Sequence, residues 1–425
     1  MISLWNLESL YKIKKDSLYV NSFFLYLTSI SNAGFGFFFW IISALIYSQA
    51  EIGIASALIS SMALIILLSR MGLDQTLIRF LPSSNKQEIF STYAILTTII
   101  ALFFGIIFVY FIQFLSPELI FLKSPLGIGY LFFVGVSSIS NIGGTTFISL
   151  KSSKIRFFQS LLLGIRIILL VPLTILGAFG IFCAVGGSFL LSAMFVLYTL
   201  PKFNIRPKLQ FNFNYVKELS EFSKANYFAS LLLLVPGQLL PLLVLNITGP
   251  ENAAIYYIAY TMSSIIFMIP NSISTSLLVE GSHGEALKVN FPKAFVLTFI
   301  VLVPAVVFLY LFGGFFLNLI NPVYLAGFQL LQLFLISTIP SVIIYFYFAV
   351  TRIQKDNKKL IIISLTQFLL IISLSYILLI NYGLIGIGYA FVFGNLIAMF
   401  MILLIESPRI LLFFPKKFHH FFFKF

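Results

Sequence analysis

Arg166 is the one charged side chain that falls deep within an apolar stretch of this sequence. It lies beyond the basic cluster Lys151, Lys154 and Arg156 by about ten residues, which at about 1.5 Å of rise each sets it roughly 15 Å further along a helix. An arginine at the centre of a membrane helix costs roughly 2.5 to 3.5 kcal/mol on insertion scales, so it is a functional candidate by default. Its planar fork suits phosphate or carboxylate. The competing reading is an arginine that snorkels to the surface or pairs with a helix carbonyl or a polar neighbour.

The carboxylates are distributed differently. Glu51, Asp74, Glu88, Glu118, Glu251, Glu280, Glu285, Asp356 and Glu406 sit at the ends of apolar runs or between them, and the remaining four precede the first or seventh run. None occupies the depth at which a proton- or sodium-driven exporter holds its coupling acid, which counts against a cation-coupled drug or small-solute antiporter. An acid at a helix end, or backbone carbonyls, leaves that alternative open.

Uncharged polar residues do enter the apolar runs: Asn32, Asn141, Gln159, Asn226, Gln238, Asn271, Gln329 and Gln332. These are candidates to line a substrate cavity. Gln329 and Gln332, three apart, share a helix face and suit sugar hydroxyls; hydrogen bonding between helices is the alternative. Gly34, Gly36, Pro172, Pro236, Pro241, Pro270, Pro304 and Pro340 would permit bends within the runs. The three histidines, His283, His419 and His420, fall outside the runs, and no metal-ligand spacing, nucleophile motif or phosphate-cradling loop stands out. No metal or cofactor is expected. A membrane polymerase or glycosyltransferase would need a large outer loop or an acidic pair near one face, and the sequence offers neither. Cys183 is the only cysteine, so an internal disulfide is excluded and a small core residue is the reading.

Positioning these residues falls to membrane helices. The chain is 60% hydrophobic and 9% charged, with a mean hydropathy of +1.06, far more apolar than a soluble core requires. Apolar runs of the length a bilayer needs, roughly 20 residues, fall at 18–46, 51–69, 90–114, 126–150, 157–177 and 180–200, then at 225–247, 252–278, 293–316, 325–350, 360–380 and 383–405. The expected fold is all-α, about twelve transmembrane helices in two six-helix bundles, 18–200 and 225–405. A polar segment 1–17 precedes them and reads as retained, not as a cleaved signal. A basic linker 201–224 joins them, and a basic, aromatic tail 406–425 follows and resembles an interfacial anchor.

Orientation follows from the basic residues. With loops alternating from a cytoplasmic N-terminus, Lys and Arg fall inside at Lys12–Lys15, Arg70–Lys86, Lys151–Arg156, the linker, Lys288–Lys293, Arg352–Lys359 and Arg409–Lys424. Only Lys123 falls outside, so both termini are expected to be cytoplasmic in a plasma or inner membrane. The net charge of +13 lies in short runs between apolar segments, marking a membrane surface and not a nucleic-acid-binding face. Each half opens on a long run, a short acidic outer loop and a run rich in small residues, as in Ser48-Gln49-Ala50-Glu51-Ile52-Gly53 and Gly249-Pro250-Glu251-Asn252-Ala253-Ala254. Six runs per half would make the repeat parallel, a layout common in transporters.

Three stretches carry a family resemblance: Asn32-Ala33-Gly34-Phe35-Gly36-Phe37 with Ile46-Tyr47-Ser48-Gln49-Ala50-Glu51-Ile52-Gly53, then Met71-Gly72-Leu73-Asp74-Gln75-Thr76-Leu77-Ile78-Arg79-Phe80-Leu81-Pro82, and Gly249 to Tyr260 in the second half. They resemble the polysaccharide-biosynthesis flippases of the multidrug/oligosaccharidyl-lipid/polysaccharide exporter superfamily, which include the O-antigen translocases. The resemblance implies two bundles in a V around a cationic cavity, carrying a polyprenyl-linked oligosaccharide outward by alternating access. Arg166 would then meet the lipid pyrophosphate or an acidic sugar, with Arg70 and Arg79 steering the headgroup in from the cytoplasm. Implied partners are the lipid-linked oligosaccharide, membrane lipids, and the glycosyltransferases and polymerase of the same pathway.

Overall fold

Inside hydrocarbon every backbone N–H and C=O must find its partner within the protein, so long apolar runs without strand partners close on themselves as helices. The computed structural model describes residues 17–206, 208, 210–282, 287–354 and 356–410. The expected N-terminal segment to residue 16, His283, Glu285, Lys355 and the tail from 411 lie outside the described residues, as does the side chain of Asn226.

Among the described residues the structure is helical and contains no β-strand. The first half holds α1 (Ser17–Ile46), α2 (Gln49–Ser69), α3 (Leu73–Phe80), α4 (Lys86–Tyr110), α5 (Ile112–Leu115), α6 (Leu126–Ser149), α7 (Ser153–Leu163), α8 (Arg166–Leu169) and α9 (Gly177–Thr199). The second holds α10 (Phe213–Thr248), α11 (Pro250–Ser282), α12 (Leu287–Ile320), α13 (Phe328–Ile353), α14 (Asn357–Tyr382) and α15 (Leu384–Ile410). Among the described residues eleven helices are long and apolar enough to cross a membrane, and the chain is a multi-pass membrane protein. Polar residues set the ends of several: Asn85 caps α4 by accepting from the Glu88 N–H, and Asp356 caps α14 by accepting from Lys359.

The run expected at 157–177 is the exception. It forms no single long helix but breaks into α7, the one-turn α8 and a 3-10 turn at Thr174–Leu176. Around Gly164 the backbone bonds tighten to i→i+3, as in Gly164 N–H to Leu161 and Ile167 N–H to Gly164. Close packing accounts for the glycine, since a Cβ there would lie 2.9 Å from Phe35 and 3.0 Å from the Leu161 carbonyl. The segment still accompanies α1 along its length. Near one end the Ser153 N–H donates to Asn21 Oδ1, and near the other the Tyr47 hydroxyl donates to the Leu170 carbonyl at 2.7 Å. That second bond satisfies a carbonyl within the broken stretch.

The other breakers do not interrupt their helices: α1 runs through Gly34 and Gly36, α10 through Pro236 and Pro241, α11 through Pro270, α12 through Pro304 and α13 through Pro340. The second part of the linker is helical, because α10 begins at Phe213, ahead of its apolar span Tyr227–Thr248. The linker's extended part is fastened to α4, where Asn212 Nδ2 donates to Glu88 Oε1 at 2.7 Å and the Lys208 N–H donates to Ser91.

By contact the chain divides into two compact units, Met1–Ser48 with Leu58–Lys224, and Gln49–Ala57 with Ala225–Phe425. In the second unit Gly53 meets the start of α11 so closely that a Cβ would fall 1.8 Å from the Pro250 carbonyl oxygen. The first unit has a core around Leu77, Phe90, Tyr93, Phe147 and Val196, and the second around Ala229, Tyr347, Phe348, Leu360 and Ile402. Many Ser and Thr hydroxyls bond back to carbonyls three or four residues earlier, so they enter the core satisfied and small.

Candidate functional site

Arg166 opens α8, just past the break. Its half-buried guanidinium stacks over Phe39 of α1, 5.2 Å from the ring centroid, and Phe39 is 1% exposed. Gly36, one turn earlier, leaves the room, because a Cβ there would touch the guanidinium at 3.5 Å. Asn32, a further turn back on the same face, is half-buried. The broken crossing and the first helix thus bring Arg166, Gly36 and Asn32 to one shared face.

A second polar cluster in the first unit holds Arg70 and Asn141. The left-handed turn at Met71 and Gly72, with φ of 46° and 78°, folds α3 back so that Arg70 and Asp74 meet at 3.1 Å. Arg70 also donates to Asn141 Oδ1 at 2.7 Å, and Asp74 accepts from Thr145. Next to it, Arg156 packs flat on Gly144 of α6, near enough to Arg70 for mutual repulsion. Arg156 donates to Gln159 Oε1 at 2.8 Å, and Gln159 Nε2 donates to the Ser140 carbonyl and to Ser192 Oγ. Gln159 is 0% exposed, so its amide joins α6, α7 and α9 and does not line a cavity. Arg79, also expected at the mouth, is exposed and lies over the Phe80 ring.

The second unit contains a cavity of about 340 Å³, walled by α10, α11, α13, α14 and α15. Of the residues expected to line a cavity, Asn271 is on its wall. Gln238 is half-buried on α10 but not part of the wall. Gln329 is exposed, and Gln332 donates to the Tyr310 carbonyl of α12, so this pair stands apart from the cavity. The wall includes residues the sequence reading passed over: Tyr260, Tyr345, Arg352, Gln367 and Asn395. Arg352 was counted with the basic run Arg352–Lys359, yet α13 continues to Ile353 and carries it into the wall. Among the described residues no group of His, Cys, Asp and Glu is arranged to hold a metal ion.

The fold has solved relatives. The inward-facing conformation of a multidrug resistance MATE family transporter of the MOP superfamily aligns with a TM-score of 0.70 at 15% identity, over 90% of this chain and 95% of that one. The lipid II flippase MurJ, in an inward closed conformation, aligns with a TM-score of 0.67 at 17% identity, over 91% and 87%. A MOP superfamily transporter from Pyrococcus furiosus aligns with a TM-score of 0.55 at 14% identity, over 93% and 94%. At such identities the likeness speaks to the fold, an all-α polytopic membrane architecture. No curated protein matches the chain by sequence. The model of a family described as polysaccharide biosynthesis protein, however, matches residues 42–322, more than half of the chain, and the protein therefore belongs to the polysaccharide biosynthesis protein family.

Proposed function

We propose that this protein moves a polyprenyl-(pyro)phosphate-linked oligosaccharide across the membrane for assembly of a surface polysaccharide or glycan. The observation that carries the reading is a guanidinium, Arg166, in a broken crossing and stacked over the buried Phe39 of the first helix, in a member of a polysaccharide-biosynthesis family. A guanidinium so held can take the anionic linkage between polyprenol and sugar, while the glycan needs only polar surfaces to pass. Fold likeness to a lipid II flippase supports the same reading.

The positive-inside sorting supports cytoplasmic termini in a plasma or inner membrane. Arg70 and Arg79 then lie at the cytoplasmic mouth, where the lipid-linked sugar would be handed over by glycosyltransferases, with a polymerase acting on the far side. Fold likeness to a multidrug MATE transporter keeps a cation-coupled antiporter as the second reading. Among the described residues no carboxylate lines the second unit's cavity, which weighs against it.

The test is flipping of a labelled polyprenyl-pyrophosphate oligosaccharide in proteoliposomes, comparing wild type, Arg166→Lys and Arg166→Ala. Transport by wild type, partial in the lysine variant and lost in the alanine variant, is the expected result. Full transport by Arg166→Ala would remove Arg166 from the path. Transport of drug cations but not of the lipid-linked sugar, under a proton or sodium gradient, would replace the reading with the antiporter.

A further inference from the structure

We infer that the cavity of the second unit is a saccharide-binding site that selects for negative charge, with Arg352 as its anion contact. The inference rests on the flippase reading for the identity of the cargo. Its volume of about 340 Å³ lies within the range of small-ligand sites. It runs along α13 from Ser341 to Arg352, eleven residues, or about 16 Å at helical rise, long enough for more than one sugar ring.

The chemistry of the wall is uneven. Among the described residues Arg352 is its one charged residue, and no Asp or Glu lines it. Among them the guanidinium makes a single hydrogen bond, to Ser230 Oγ at 3.4 Å, and no carboxylate lies within 4 Å. A half-buried fork with one long bond retains donors for a carboxylate or phosphate. The amides add an acceptor. Asn395, 2% exposed, donates to the Ser337 carbonyl, which turns its Oδ1 toward Gln367; Gln367 Nε2 donates to that oxygen at 2.9 Å. Gln367 Oε1 is left buried with no partner among the described residues. A buried acceptor without a donor is unfavourable until a hydroxyl supplies one. Tyr260, Phe267 and Phe391 add aromatic rings to the wall, surfaces that suit the apolar sides of a sugar.

This combination excludes other occupants. A metal ion or drug cation would meet a guanidinium and, among the described residues of the wall, no counter-charge. An acyl chain would leave both Arg352 and Gln367 Oε1 stranded. An acidic sugar, whether its charge is a carboxylate or a phosphate substituent, satisfies both.

The experiment measures binding of three tritiated oligosaccharides to purified protein in detergent: one bearing a hexuronate, its carboxyl-reduced neutral twin, and the twin carrying a phosphate. Wild type is expected to bind at least one acidic glycan tenfold or more tighter than the neutral one, and which one identifies the charge. Arg352→Ala should bring that ratio to near one while leaving neutral binding in place. Gln367→Leu should weaken acidic and neutral glycans by the same factor and preserve the ratio. If Arg352→Ala does not fold, Arg352→Gln, with similar reach and no charge, must abolish the ratio. Equal binding of acidic and neutral glycans by wild type, or a ratio that survives loss of Arg352, overturns the inference. Flipping of a neutral lipid-linked glycan by a protein without charge-selective binding would sink this site and keep the flippase; charge-selective binding without flipping would do the reverse.

Discussion

Gln159 in the first unit and Gln367 in the second are the same side chain in opposite situations. Gln159 has both ends of its amide engaged, by Arg156, the Ser140 carbonyl and Ser192, whereas Gln367 has its Nε2 engaged and its Oε1 buried beside a cavity without a partner among the described residues. The cations differ in the same way. Arg70 meets Asp74 and Asn141, while Arg352 faces a cavity wall with no acid among the described residues. A polar group between membrane helices is glue when its bonds close and a binding element when they stay open.

Replacing Gln159 with Leu should show this most clearly. It takes from the buried Arg156 guanidinium its Gln159 acceptor, at about 2–3 kcal/mol, read as thermal unfolding in detergent, with glycan affinity unchanged. Next, Asn141→Ala removes one of the Arg70 partners in a half-exposed site, and a loss of about 1–2 kcal/mol is expected by the same assay. Tyr47→Phe takes the donor from the Leu170 carbonyl in the broken crossing, and should cost about 1 kcal/mol. Gln367→Leu gives up one hydrogen bond but also removes a stranded acceptor, so its stability should change by less than about 0.5 kcal/mol. A large loss from Gln367→Leu, or none from Gln159→Leu, would dissolve the contrast.

Much of the fold was readable because a bilayer imposes length and hydropathy on each crossing, and the runs at 51–69, 126–150 and 252–278 fall almost where α2, α6 and α11 lie. The fifth crossing was expected as one apolar run with a bend permitted at Pro172, which lies in the turn before Thr174–Leu176. Hydropathy does not register the earlier break, where Gly164 must pack against Phe35. Arg166 was found because charge in an apolar run is conspicuous. Hydrogen-bond closure is invisible in sequence, so Gln159 and Asn271 looked alike although one joins helices and the other lines a cavity. Arg352 escaped notice because the basic run after it reads as loop, and only the length of α13 shows otherwise. Gln367 and Asn395 were within reach, as amides in the last two crossings.

The measurement that tests the account most directly is the initial rate of lipid-linked oligosaccharide flipping, with an acidic glycan, in proteoliposomes normalised for folded protein. Gln159→Leu and Arg352→Ala are compared side by side. Near wild-type transport from the Gln159 variant, and a tenfold or greater fall from the Arg352 variant that raising the substrate concentration restores, is the predicted result. Equal loss in both, or wild-type transport from Arg352→Ala, would contradict it.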